Sequence, residues 1–194
     1  MLGSLQTSGR QTIIGNLLLV VCCGFYLAWW VLAFRVNNPI KGIRSGWLLL
    51  PAVVAGLAAI ILIVSGIMAA KSEQKLIPGY AFIIGGVVAY IIAAVVTVTI
   101  FKRQMTSELF LFIGWGALAL AEVSALHGSG QLTAAASLIM VVVIIIVVAI
   151  SLVCYVLFYR LEPPQAFIDG MLPLLLVGLT MVALSVCTLA FPVR

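Results

Sequence analysis

Apolar and polar positions fall in long blocks along this chain. Six apolar runs, at 12–34, 47–69, 79–101, 109–130, 134–158 and 171–191, alternate with short polar stretches. Each run is close to the ~20 residues that a helix needs to cross a hydrocarbon core. The runs are continuous, not alternating with period two, so they predict helices and not the strands of a barrel. In lipid every backbone N–H and C=O must find a partner inside the protein, and a helix supplies one within its own segment. The pattern therefore predicts an all-α, polytopic integral membrane protein. Its six transmembrane helices form three hairpins in a single domain over 1–194.

The polar stretches carry matching punctuation. Asn37-Asn38-Pro39 reads as a turn after the first run, which ends in the interfacial pair Trp29 and Trp30. Pro51 and Pro173 fall in the predicted first turns of the second and sixth helices, where a missing N–H matters little. Ser107 and Glu108 suit a helix N-terminus, and His127 to Thr133 form a glycine-rich turn. The stretch Arg160 to Gly170, with Pro163 and Pro164, reads as a second proline turn. Ala52, Gly56 and Ala59 make a small-residue face on the second helix that lets another helix approach closely.

Composition sharpens this picture. The chain is 65% hydrophobic and 8% charged, against roughly 45–50% and about 25% in soluble domains. The bilayer is thus a partner for most of its surface. The net charge of +5 lies in short loops and suits lipid headgroups, not nucleic acid. One histidine and four scattered cysteines give no usual haem or zinc site, and no nucleotide-binding loop is present, so no cofactor is expected. The cysteines, Cys22, Cys23, Cys154 and Cys187, all sit in apolar runs and read as packing residues.

Charge also gives an orientation. Arg35, Lys41, Arg44, Lys102, Arg103 and Arg160 lie on one side, and Arg10, Lys71, Lys75 and Arg194 on the other. Six basic residues against four favour both termini outside, in the plasma or inner membrane. Residues 31–43 (VLAFRVNNPIKGI) and 156–168 (VLFYRLEPPQAFI) align without gaps. This reads either as a parallel repeat of helices one–two and five–six or as coincidence in a biased composition.

Glu122 is the one ionisable side chain deep in an apolar run. A carboxylate at mid-bilayer costs on the order of 2.5–3.5 kcal/mol on insertion scales, so it faces protein or a wet cavity. Antiparallel pairing of helices three and four would set Gly85 and Gly86 opposite it and leave room for a solute. The expected pathway has Glu122 as gate or solute contact, Tyr90 and Trp115 as aromatic walls, and His127 at the mouth. Gly86, Tyr90 and Thr97 share one stripe on helix three, which is either a helix contact face or a pathway lining. A purely structural Glu122, bonded between helices or reaching towards the headgroups, is the competing reading.

These features favour a channel or facilitator for a small, uncharged or weakly charged solute, and not an enzyme. In layout alone, the chain looks like the proton-gated urea channels and their amide-channel relatives. Those have six spans, outside termini and three hairpins around a pore. Trp115 and His127 are the points nearest to that family's Trp-rich constrictions and outer-loop histidines, and no motif carries residues across. A structural subunit of a larger or homo-oligomeric membrane complex is the alternative. An intramembrane lipid enzyme using Glu122, Ser124 and His127 is a third, with no evident oxyanion donor beyond the 128–130 turn.

Overall fold

The computed structural model describes residues 7–34, 45–70, 79–100 and 107–190, and these are helical throughout apart from short turns. The helices are α1 (Thr7–Phe34), α2 (Leu49–Ala69), α3 (Gly79–Thr99), α4 (Ser107–Gly128), α5 (Ala134–Leu157) and α6 (Pro163–Ala190). Five of the six are long and apolar enough to span a membrane, and α3 adds a shorter apolar stretch, Ile84–Thr99. The protein is an all-α, multi-pass membrane protein. The first half of the internal echo, from residue 35 to residue 43, lies outside the described residues, as do eight of the ten basic residues used for orientation.

Two helices start earlier than the pattern predicts. α1 begins at Thr7, because Ser8 and Thr12 are buried against neighbours and not in a polar tail. α6 begins at Pro163, not near residue 171. Proline is well placed at the first helical position, so the Pro163-Pro164 pair starts this helix and is no loop. Pro173 then lies inside α6, not in its first turn. An interior proline offers no N–H to the carbonyl four residues back, which here belongs to Asp169.

α1, α6, α5 and α4 pack in that order into a ring, which α2, seated on α1, helps close by its contact with α4, and α3 lies outside on α4. α4 is the most enclosed, with over half of its span buried. α1 and α2, α3 and α4, α4 and α5, and α5 and α6 pack as antiparallel neighbours, whereas α2 and α3 do not pack on each other; the N-terminal end of α1 meets the C-terminal ends of α2, α4 and α6.

Close contact is set by small residues. A Cβ on Gly15 would lie 2.7 Å from Ile63 Cγ1 and 3.1 Å from the Ala59 carbonyl. A Cβ on Gly66 would lie 2.6 Å from Thr12 Cγ2 and 2.9 Å from the Ser8 carbonyl. The small face of α2, with Ala52 and Ala59 fully buried, is therefore the seat of α1.

The turn from α4 to α5 closes the same end. Gln131 N–H donates to Leu126 O at 2.9 Å and Gly130 N–H to His127 O at 3.0 Å, with Gly130 at φ 71°. This is a Schellman cap, in which glycine takes the left-handed position at no Cβ cost. The Gln131 amide then donates to Ser8 Oγ at 2.7 Å and Ser129 Oγ at 2.9 Å, tying the turn to α1. Leu132 plugs into the largest apolar cluster, with Val123, Leu126, Met140, Ile144 and Leu184. Buried hydroxyls in the spans bond back to their own helices, as Thr97 does to Ala93 O (2.7 Å) and Ser151 to Val147 O (2.8 Å).

Candidate functional site

Glu122 does not face Gly85 and Gly86. A Cβ on Gly86 would touch Ala117 Cβ at 2.8 Å, so Ala117 is the α4 residue opposite it. Glu122 lies five residues further along, about 140° around the helix at 3.6 residues per turn. It points to α1. Asn16 Nδ2 donates to Glu122 Oε1 at 2.8 Å, with Asn16 1% and Glu122 0% exposed. The other two oxygens of the pair, Asn16 Oδ1 and Glu122 Oε2, are buried without a partner. α1 and α4 otherwise touch little. The pair is thus a polar clasp between two helices that lack an extensive direct seam.

Beyond the clasp the ring is hollow. A cavity of about 450 Å³ lies among α1, α4, α5 and α6, within the ~300–1,000 Å³ range of small-molecule sites. Its lining residues nearest the clasp are Leu19 and Leu118. Asn16 and Glu122 lie about one turn further on and are not in its wall. Tyr26, Trp30, Phe112, Trp115, Tyr155 and Phe158 supply aromatic surface. Ile60, Phe110 and Leu111 also border it and are exposed, so it reaches the lipid-facing surface between α2 and α4. A Cβ on Gly114, also in the wall, would meet nothing within 4 Å.

The ends of α1 and α6 and the turn after α5 hold one end of the cavity in shape. Trp30 Nε1 donates to Phe167 O at 3.2 Å, joining α1 to the first turns of α6. Gly170 lets the Trp30 indole lie directly on the α6 backbone. Trp30 also packs against Phe158, with ring centroids 5.7 Å apart. The wall is apolar with few exceptions. Trp115 Nε1, Tyr155 OH and Asp169 Oδ2 are buried polar atoms with no hydrogen-bond partner, and all three belong to lining side chains. The Cys154 thiol lies beside the Asp169 carboxyl.

The remaining candidates are dispersed. Tyr90 meets Phe110 edge-on at 5.7 Å and packs with Ala93 on the Leu109–Ile113–Tyr155 cluster. Gly86, Tyr90 and Thr97 thus share the face by which α3 packs on α4. His127 Nδ1 lies 3.1 Å from the Leu132 carbonyl oxygen, within the turn. Glu122 is bonded to Asn16, so Glu122, Ser124 and His127 are not joined into a catalytic set. Of the predicted site residues only Trp115 borders the cavity. Among the described residues no group of three or more His, Cys, Asp or Glu is placed to hold a metal ion.

Sequence reasoning passed over Asn16, Tyr155 and Asp169. Asn16 carried a signal, as an amide in an apolar run. Asp169 was hidden by its assignment to a loop.

The chain matches no protein-family model, no curated protein and no solved structure. The likeness to the amide channels therefore remains one of layout.

Proposed function

We propose that the protein binds small amphipathic molecules inside the bilayer and works as a facilitator for them, through the cavity among α1, α4, α5 and α6. The observation that carries this reading is the pairing of shape and chemistry. A cavity of about 450 Å³ has aromatic walls, an opening among lipid-facing residues, and three polar atoms without partners. Leaving such atoms unsatisfied costs about 1–3 kcal/mol each, which a ligand with a polar group would offset. A solute path past Glu122 has less support, since that carboxyl is wholly enclosed and bonded to Asn16. With both termini outside, as the basic residues favour, the cavity lies in the inner half of the membrane.

The test is saturable binding of a neutral amphiphile, 3,3-diphenylpropan-1-ol, to the protein in phosphatidylglycerol nanodiscs. Wild type is expected to bind it. Gly114→Phe fills the hollow from a position with open space and is expected to weaken binding tenfold or more, on the order of 1.4 kcal/mol. Its unfolding temperature should stay near that of wild type. No saturable binding, or equal binding by the folded Gly114→Phe variant, overturns the reading.

A further inference from the structure

The three polar atoms left without partners in the cavity wall differ in what they ask of a ligand. Trp115 Nε1–H can only donate, and the Asp169 carboxylate can only accept. The Cys154 thiol lies beside that carboxyl, and Oδ2 still has no partner. Tyr155, only 6% exposed, has a hydroxyl that can do either. The atoms also stand at different depths. Trp115 packs on the cluster of Cys23, Val147 and Val177. Val147 precedes Tyr155 by eight residues on α5, and Val177 follows Asp169 by eight on α6. At about 1.5 Å per residue, the two levels lie ~12 Å apart along the bundle. Leu118 and Leu19 continue the wall beyond Trp115 towards the clasp. The cavity is thus ordered along its length, with an acceptor first, then a donor, then an apolar end.

This order selects by chemistry. An ammonium brings donors only and leaves the Trp115 N–H unanswered. A carboxylate brings acceptors only and leaves Asp169 Oδ2 unanswered. A zwitterion answers both, but it carries two charges into a wall that is otherwise mostly apolar. We propose that the occupant of the cavity is a neutral amphiphile with a hydroxyl and a carbonyl joined by a short spacer, a hydroxy ester being the simplest case. Its hydroxyl donates to Asp169 Oδ2, its carbonyl oxygen accepts from Trp115 Nε1, and its apolar body lies against Leu118 and Leu19. With a hydrogen bond of ~2.9 Å at each end, one hydroxyl alone does not span the two levels, so the spacer is part of the recognition. This inference rests on the cavity being a binding site at all, and the experiment separates the two claims.

The probe is 2-hydroxyethyl 3,3-diphenylpropanoate, bound to the full chain in phosphatidylcholine nanodiscs, whose headgroup donates no hydrogen bond. The matching 2-methoxyethyl ester lacks the donor, and 2-(3,3-diphenylpropoxy)ethanol lacks the carbonyl. Affinities are referred to each probe's concentration in the lipid, so partition does not enter the comparison. Wild type is expected to prefer the hydroxy ester to either analogue by on the order of tenfold. Asp169→Leu is expected to bring the hydroxy-to-methoxy ratio close to one and to keep the preference for the carbonyl. Trp115→Phe is expected to do the reverse. The preference that each variant keeps shows that its cavity is intact, and the wild-type ratios test the assignment without any variant. A second arm adds dioleoylglycerol, a lipid with a hydroxyl and ester carbonyls, to the nanodiscs. Competition identifies a membrane lipid as a source of the hydroxy ester, and unchanged probe affinity identifies a smaller free molecule. Equal binding of all three probes to wild type, with Gly114→Phe still blocking them, overturns the hydroxy-ester assignment and leaves the binding reading intact. Preferences that survive both Asp169→Leu and Trp115→Phe also overturn it. If no probe binds wild type, both claims fall.

Discussion

Asn16→Leu is expected to destabilise the bundle by about 2–3 kcal/mol, while Glu122→Gln leaves it as stable or makes it more so. Asn16 donates the one hydrogen bond that the fully buried Glu122 carboxyl receives. Losing the bond itself is minor, because interhelical hydrogen bonds in membranes average about 0.6 kcal/mol. Orphaning the carboxyl is the larger effect, since both oxygens are then buried with no donor. Gln at 122 keeps the accepting oxygen for Asn16 Nδ2. Its own amide can donate to Asn16 Oδ1, which now has no partner. The second substitution Glu122→Leu, made on the Asn16→Leu background, removes the orphan and is expected to recover most of the loss. Equilibrium unfolding in mixed detergent micelles reads all four proteins. A double variant no more stable than Asn16→Leu alone would refute the clasp.

Gly66→Ala is expected to weaken the α1–α2 hairpin by about 1–3 kcal/mol, the usual range for overpacking. The added methyl would sit 2.9 Å from the Ser8 carbonyl and 3.2 Å from the Thr12 nitrogen. Backbone atoms cannot rotate away as a side-chain tip can, so the helices must part. Gly24→Ala on α1 is the matched control, because its Cβ meets nothing within 4 Å. There the better helix propensity of alanine acts alone and is expected to stabilise by up to about 1 kcal/mol. The two changes have the same chemistry and opposite predicted signs. Thermal unfolding of both variants decides the matter, and a shared sign would contradict the close crossing.

The spans were legible because lipid imposes one rule on every segment, and run length obeys it directly. Their boundaries were less so where polar residues enter a helix. Ser8 reads as tail and Thr12 as the start of the first run, and both prove to be packing residues against α2. Pro163 reads as a turn and is the first residue of α6. The site was harder still. Glu122 stood out by cost alone, but its partner depends on rotation about α4, which run length does not report. Gly86 was expected opposite it and instead meets Ala117. The cavity belongs to four helices that are mostly distant in sequence. No local pattern brings Tyr26, Trp115, Tyr155 and Asp169 together, and only the ring arrangement does so.

The most direct check on where this bundle is hollow is photo-crosslinking with an alkyl-diazirine analogue of diphenylpropanol, read by peptide mass spectrometry. Alkyl diazirines react readily with carboxyl groups, and three acids lie along the helices concerned. Adducts are predicted on Glu108 and Asp169 and on the neighbouring cavity wall from Cys22 to Trp30, competed by unlabelled alcohol. None is predicted on Glu122. Competable labelling of Glu122, with Glu108 and Asp169 untouched, would contradict the account and return the solute path to that carboxyl.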